Sequence, residues 1–373
     1  MTRYDVMHLL TDARPGRLDP DPGGPPDPRS ITAHPRATTT RTAPRIRRRL
    51  VLAGALPVAA AIVAGALVLT DGGPKEAPDG GPAGASPSAR PDPRTASDLL
   101  LVAAEQTTAG DTATGGRYRV KAYENGERKE VGSPKARYAV VARTSREHWQ
   151  ATGPDDPSVE VYQYLGARPA TPADEAAWRA AGSPDRWTED TPPGMTPIEH
   201  TIAARPRQVL PPRGSNAERE SMMLAGLPVT EAELAALPTD PSALKAALVA
   251  KLRAGGSEEN ENYALFYAGR DLITGLPASA QVRAATYRML AGVTGIDLLG
   301  KVVDQGGRSG FAVAYTRRGD AGWGQIRLII DPATGRVLSE ESWFLGTDRS
   351  SATLMRFELI LRDGYTDDAP PAA

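Results

Sequence analysis

The chain reads as α+β, with a single transmembrane helix near its N-terminus followed by an extracytoplasmic domain in which a curved antiparallel β-sheet carries a helical insertion. Three observations predict this. Residues 50 to 69 hold twenty positions without one charged or strongly polar side chain. A Pro/Gly-rich tether follows them, and beyond it two runs of alternating strands bracket a stretch of helical periodicity.

The arm before the span carries ten Arg, no Lys and five Asp, a surplus of five positive charges, so the rest of the chain sums to about −6 against the total of −1. Residues 3 to 12 suit one short helix with Val6, Leu9 and Leu10 on one side, and six prolines between Pro15 and Pro28 forbid its continuation. The eight larger apolar residues of 1 to 49 are too few to offset the entropy of ordering the arm, so it is expected to be disordered and to order only on a partner. Tyr4 to Leu10 reads either as a fraying stub or as a short docking helix for a cytoplasmic partner, in which case Val6, Leu9 and Leu10, at i, i+3 and i+4, are the candidate partner-docking residues.

Leu50 to Leu69 contains ten Leu, Ile or Val, seven Ala, two Gly and Pro57. At about 1.5 Å of rise per residue, twenty helical residues match the hydrocarbon core of a bilayer. Arg45, Arg47, Arg48 and Arg49 fence the leading edge and Asp71 the trailing one, which by the positive-inside bias puts the arm in the cytoplasm and the bulk of the chain outside. The rival reading is an export signal, with Arg47-Arg48-Arg49 as a twin-arginine pattern and Ala64-Gly65-Ala66 as a cleavage site. The long leader and the apolar Leu67-Val68-Leu69 beyond the cut favour an uncleaved span. Six Pro and five Gly among residues 71 to 94 make the tether. The expected organisation is a disordered basic arm over 1–49, a transmembrane helix over 50–70, a linker over 71–94, an α+β domain over 95–368 and a disordered tail over 369–373.

The outer domain opens with a helix over Ser97 to Thr108 behind a Thr95/Ser97 cap signal. Strands are expected at Arg117 to Tyr123, Ala136 to Ala142, Arg146 to Ala151 and Val159 to Leu165, with Asn125-Gly126, Gly132-Ser133-Pro134 and Gly153-Pro154 as turns. This is an antiparallel meander. Thr171-Pro172-Ala173-Asp174-Glu175 starts a short helix carrying Trp178, after which prolines break residues up to 225 into turns and extended pieces. Thr230 starts another short helix. Asp240 caps a longer one with Pro241 in its first turn and Leu244, Leu248 and Leu252 repeating at i+4. Asn262 to Thr274 brings Tyr263, Phe266 and Tyr267 together, and Pro277 to Val293 carries an apolar stripe from Val282 to Val293. Five strands close the domain: Leu298 to Asp304, Phe311 to Arg317, Trp323 to Asp331, Arg336 to Phe344 and Thr353 to Leu361. Asp331-Pro332-Ala333-Thr334-Gly335 is a hairpin signal, and Ile326, Leu328 and Ile330 alternate against Gln325, Arg327 and Ile329.

Little in the sequence points to catalysis. With no cysteine, disulfides, thiolate metal sites and cysteine nucleophiles are excluded together. Ser242-Ala243-Leu244-Lys245 matches the S-x-x-K of penicillin-interacting serine enzymes, yet no K-T-G strand accompanies it and Ser is common in a first helical turn. Gly322-Trp323-Gly324 lacks the third glycine of a nucleotide loop. His8 and His34 have no second ligand nearby, and His148 and His200 fall on a strand and a Pro-rich loop. Arg205, Arg207 and Arg213 read as solvated. No cofactor, metal or nucleic-acid partner is expected, and the outer domain reads as a binding or sensing module rather than an enzyme. The cross-class alternative is a carrier that cradles a lipid or other apolar ligand in a half-barrel-like sheet.

Several stretches taken together, RYDVMHLLTDARPGRLDP, a basic stop before one span, the Pro/Gly tether, LPTDPSALKAAL, PASAQVRAATYRMLAGV, GKVVDQGGRSGFAVAYT and RLIIDPATGRVLSEE, resemble a family of uncharacterised actinobacterial single-pass membrane proteins that look like membrane-anchored partners of extracytoplasmic-function sigma factors. The similarity is clearest over residues 225 to 345. It implies a membrane location and a regulatory role beside a sigma factor, and it supplies no catalytic residue. Unlike ordinary anti-sigma factors, the arm has neither a His/Cys zinc pattern nor the apolar content of a helical bundle.

Overall fold

The computed structural model describes residues 92–110, 115–133, 136–153, 155–189, 195–196, 198–210 and 222–372. The expected arm, the expected span over 50–70 and most of the expected linker lie outside these residues. Among the described residues no helix is long and apolar enough to cross a membrane.

A nine-stranded, wholly antiparallel sheet organises the domain. It contains β1 (Tyr118–Ser133), β2 (Ala136–Ala151), β3 (Val159–Pro169), β6 (Gln208–Leu210), β9 (Ile296–Val303), β10 (Ser309–Gly319), β11 (Gly322–Ile330), β12 (Val337–Phe344) and β13 (Thr353–Thr366). The spatial order is β6-β3-β2-β1-β13-β12-β11-β10-β9. Each expected meander is present, and the first strand of one pairs with the last strand of the other, Tyr118 opposite Thr366 through Glu127 opposite Arg356. That single long-range pairing turns two meanders into one sheet. Two small ribbons accompany it, β4 (Arg186–Glu189) with β5 (Ile198–Thr201) and β7 (Met222–Leu224) with β8 (Leu227–Val229).

The helices are α1 (Ala96–Gly110), α2 (Pro172–Ala180), α3 (Glu231–Ala235), α4 (Pro241–Ala254), α5 (Glu261–Thr274) and α6 (Ala280–Ala291). Their starts follow local chemistry. Thr95 Oγ1 accepts from the Asp98 amide while Asp98 accepts from the Thr95 amide, Thr230 and Glu233 form a capping box, and Asp240 accepts from the Ser242 and Ala243 amides. The largest core joins α1, α4, α5 and α6 to one face of the C-terminal strands: Leu99, Leu244, Leu248, Phe266, Val282 and Leu290 pack with Val313, Leu328, Ile330 and Ile360. Burial of such a helix face stabilises by roughly 1.5–3 kcal/mol per large apolar side chain. A smaller cluster under α2 and the β4–β5 ribbon holds Val131, Tyr138, Val140, Ala167 and Trp187. Tyr118, Val120, Trp149, Ala151 and Val161 form a third cluster.

Three sequence expectations are corrected. Asn125-Gly126 is not a turn; it lies in mid-strand, with Asn125 opposite Thr144 on one side and Glu358 on the other. Ala136 to Ala151 is one strand rather than two, because β2 pairs with β1 along its whole length. The Pro-rich stretch after Trp178 contributes the β4–β5 ribbon and the short edge strand β6, which the local signals did not mark.

The 331–335 hairpin is built as its residues suggest. The Asp331 carbonyl accepts from the Gly335 amide at 2.9 Å, and Gly335 takes a φ of 69°. This turn is inserted between helices: the Tyr287 hydroxyl on α6 donates to the Gly335 carbonyl at 2.8 Å, and the space beside Gly335 is filled by Ala103 and Thr107 of α1. The element that follows the linker is thereby locked to the sheet.

Candidate functional site

Val6, Leu9 and Leu10, expected to dock a partner, and Arg45, Arg47, Arg48 and Arg49, expected to orient a membrane span, lie outside the described residues. Among the described residues, aromatic and charged side chains converge at the N-terminal end of α5, where it meets β10, β11 and β12.

Asn260 caps α5 by accepting from the Asn262 and Tyr263 amides, and its Oδ1 also accepts from the Tyr315 hydroxyl at 3.3 Å. The cap therefore sets the distance between α5 and β10. The Tyr263 ring lies 5.6 Å from that of Tyr315 and 5.5 Å from that of Tyr267, with Phe266 beneath them. Arg317 lies 4.4 Å above the Tyr263 ring and is held by Glu259 at 2.6 Å. Between these groups is a depression of about 190 Å³ lined by Tyr263, Tyr315, Arg317, Ile326, Ser342 and Trp343. Gly324 is also part of the lining, and the volume where a side chain would stand at this position is empty. Burial raises the hydroxyls of Tyr263 and Tyr315 above the ordinary tyrosine value, so both are neutral hydrogen-bonding groups near pH 7.

Farther along α5, charges are paired over the sheet. Arg270 meets Asp271 at 2.6 Å and Glu340 at 3.1 Å and stacks 3.6 Å from the Tyr267 ring, while Lys121 meets Glu358 at 3.3 Å. Burial alone would lower the Arg270 guanidinium, but Glu340 and Asp271 hold it above its usual value. Burial pushes the Glu340 and Asp271 carboxyls up, against the pull of Arg270.

A second group of side chains belongs to the opposite face of β11 and β12. Arg327 lies 4.0 Å from the Trp343 ring, and its Nε donates to Gln325 Oε1 at 2.6 Å. Gln325 in turn donates to Thr316 Oγ1 at 2.8 Å. Trp343 Nε1 donates to Glu341 at 2.8 Å.

The catalytic candidates weighed in the sequence are held in structural contacts. Ser242 sits in the first turn of α4 with its amide on Asp240, and Lys245 faces Glu261 at 3.9 Å. His148 stacks on Tyr123, whose hydroxyl is 3.1 Å from Nε2, and His200 stacks on Trp187. Arg207 pairs with Glu147 and Arg205 lies over Tyr164, while Arg213 lies outside the described residues. Gly322 and Trp323 begin a strand. Among the described residues no group of His, Asp and Glu is arranged to hold a metal ion.

Helical periodicity places Tyr263 beside Tyr267, whereas Tyr315, Ser342 and Trp343 come from other elements and no local signal links them to α5. No family model matches the chain, and neither a curated protein nor a solved structure does.

Proposed function

We propose that the chain is a single-pass membrane-anchored extracytoplasmic binding or sensing protein, not an enzyme, whose outer domain takes a ligand at the tyrosine-lined depression and whose cytoplasmic arm acts on a sigma factor. The observation that carries the binding reading is the convergence of Tyr263, Tyr315 and Trp343 with Arg317 around open space at Gly324. Aromatic faces beside a few fixed polar groups are the usual make-up of a small-ligand site. The arginine fence before residue 50 and the resemblance to membrane-anchored partners of sigma factors support the topology and the arm's role.

A second reading, a carrier of a lipid or other apolar ligand, is favoured by the apolar walls of the same depression, where Ile326 lies beside the aromatic rings. Native mass spectrometry of the full chain released from membranes distinguishes these readings: a polar co-purified molecule lost from the Y263A/Y315A variant supports sensing, and a lipid supports the carrier. Bare protein in both wild type and variant counts against the site.

Topology and regulation are tested in the same cells. Protease added to intact spheroplasts is expected to remove the outer domain and leave an anchored fragment containing residues 1–69. Replacing Leu9 and Leu10 with Asp is expected to abolish capture of a sigma factor without changing insertion. Turnover of a substrate abolished by Ser242→Ala would overturn the non-enzyme reading.

A further inference from the structure

We infer that Arg327 is a prepared anion-binding residue of the outer domain, presenting the free edge of its guanidinium to a carboxylate or phosphate group of a ligand; this rests on the reading of the domain as a binding module. Other arginines of limited exposure are paired with carboxylates. Arg119 pairs with Asp363 at 2.9 Å, Arg128 with Asp174 at 3.5 Å, Arg143 with Glu124, Arg270 with Asp271 and Glu340, and Arg308 with Asp304 at 2.7 Å. Each has the carboxylate that a guanidinium partly withdrawn from water requires.

Arg327 has none. It is half-buried on β11, and the one hydrogen bond it makes runs from Nε to Gln325. Its two terminal nitrogens meet no acceptor among the described residues. The neighbours across the strands explain why. On β10 the opposite residue is Ala314, which offers no side-chain acceptor. On β12 it is Glu341, whose carboxylate is taken by Trp343 Nε1 at 2.8 Å and Gln305 Nε2 at 3.4 Å.

The same contacts fix the guanidinium in place. Thr316 orients the Gln325 amide, Gln325 holds Nε, and the Trp343 ring supports the flat face from 4.0 Å. Trp343 is itself held by Glu341. A planar fork immobilised in this way has its rotational entropy already lost, and bidentate contact with a carboxylate or phosphate is the geometry it matches. Burial lowers the Arg327 guanidinium from its ordinary value, and the attraction of Glu341 offsets this only in part. Arg327 itself is not part of the depression's lining, which reaches its supports Trp343 and Gln325, so the anion position is distinct from the space beneath Tyr263 and Tyr315.

The test uses the full chain in neutral detergent, titrated separately with inorganic phosphate and with acetate at constant ionic strength set by chloride. The readouts are the thermal midpoint and the indole N–H resonance of Trp343, assigned by its loss in Trp343→Phe. Wild type is expected to show a saturable shift with one of the two anions, which identifies the group. Arg327→Gln should weaken it at least tenfold. Arg327→Lys, which keeps the charge but not the fork and guards against misfolding of the first variant, should weaken it severalfold. Arg349→Gln, which removes an exposed guanidinium stacked on Trp323, should leave it unchanged. Absence of a saturable shift with either anion, or an equal shift in Arg327→Gln, overturns the inference. Retention of a Tyr263-dependent ligand in that case would leave the broader binding reading standing.

Discussion

The ring of Phe357 on β13 lies directly over Gly126 on β1, in the space where any larger residue would place its Cβ. Phe357 is 3 % exposed and Gly126 is buried, so the aromatic ring supplies the apolar cover that glycine cannot. The pair lies in the β1–β13 seam that joins the two meanders. Gly126→Ala is expected to destabilise the domain by about 1–3 kcal/mol through overpacking. Pairing it with Phe357→Leu should give a non-additive double mutant, measured by chemical denaturation, because the smaller side chain relieves the overlap. Additive losses would show that the ring and the glycine do not press on one another.

The Tyr287 hydroxyl is fully buried and donates to the Gly335 carbonyl. Tyr287→Phe keeps the ring and removes the donor, so a loss of about 1–3 kcal/mol is expected for the carbonyl left behind. Thr107 Oγ1 lies 3.5 Å from the same carbonyl and sets the expected loss toward the lower end. Gly335→Ala should cost more, since it forces a side chain into φ 69° and against α1. Equilibrium unfolding of the two variants gives the order directly, and an equal or reversed order would argue against the plugged hairpin.

Glu340 and Asp271 titrate above the usual carboxylate range because burial disfavours their charge, in spite of Arg270. A carboxyl whose folded pKa is raised binds its proton more tightly in the native state. Its contribution is therefore most favourable below the unfolded value near pH 4 and is lost as pH rises through the raised one. Arg270→Ala removes the compensating cation, and a loss of about 3–5 kcal/mol is expected at neutral pH. The deficit should shrink as pH falls, because protonation of the raised carboxyls removes the charge that Arg270 had compensated. Urea titrations at pH 7.5 and 5.0 test this, and a deficit independent of pH would assign the loss to packing on Tyr267 alone.

Asp240 and Ser242 separate a cap from a nucleophile. Asp240 accepts two amide hydrogen bonds at the start of α4, so Asp240→Ala is expected to cost about 0.5–2 kcal/mol. Ser242 contributes its amide, which Ala retains, and Ser242→Ala should stay within about 0.5 kcal/mol of wild type. Thermal unfolding distinguishes the two. A large loss in Ser242→Ala would indicate that its hydroxyl holds something beyond the helix start.

Elements whose instructions are local are legible in the sequence. The Thr95, Thr230 and Asp240 caps, the leucines of α4 at 244, 248 and 252, and the Asp331–Gly335 turn each act within a few residues, so spacing and side-chain chemistry were enough to locate them. The strand regions of both meanders followed from alternation, although the two pieces expected between 136 and 151 proved to be one strand. The remaining features depend on residues far apart in the chain. Asn125-Gly126 has the chemistry of a turn, yet two flanking strands satisfy its backbone and Phe357, 231 positions later, covers the glycine, so long-range pairing overrides the local preference. The depression needs Tyr263 from α5, Tyr315 from β10 and Trp343 from β12, and no periodicity within one element could bring them together. Alternation sets Arg327 with Gln325 against Ile326 and Leu328, but only the register places Ala314 on one side of it and an already hydrogen-bonded Glu341 on the other. Charge and alternation are written along the chain, whereas which charge lacks a partner is a property of the assembled sheet.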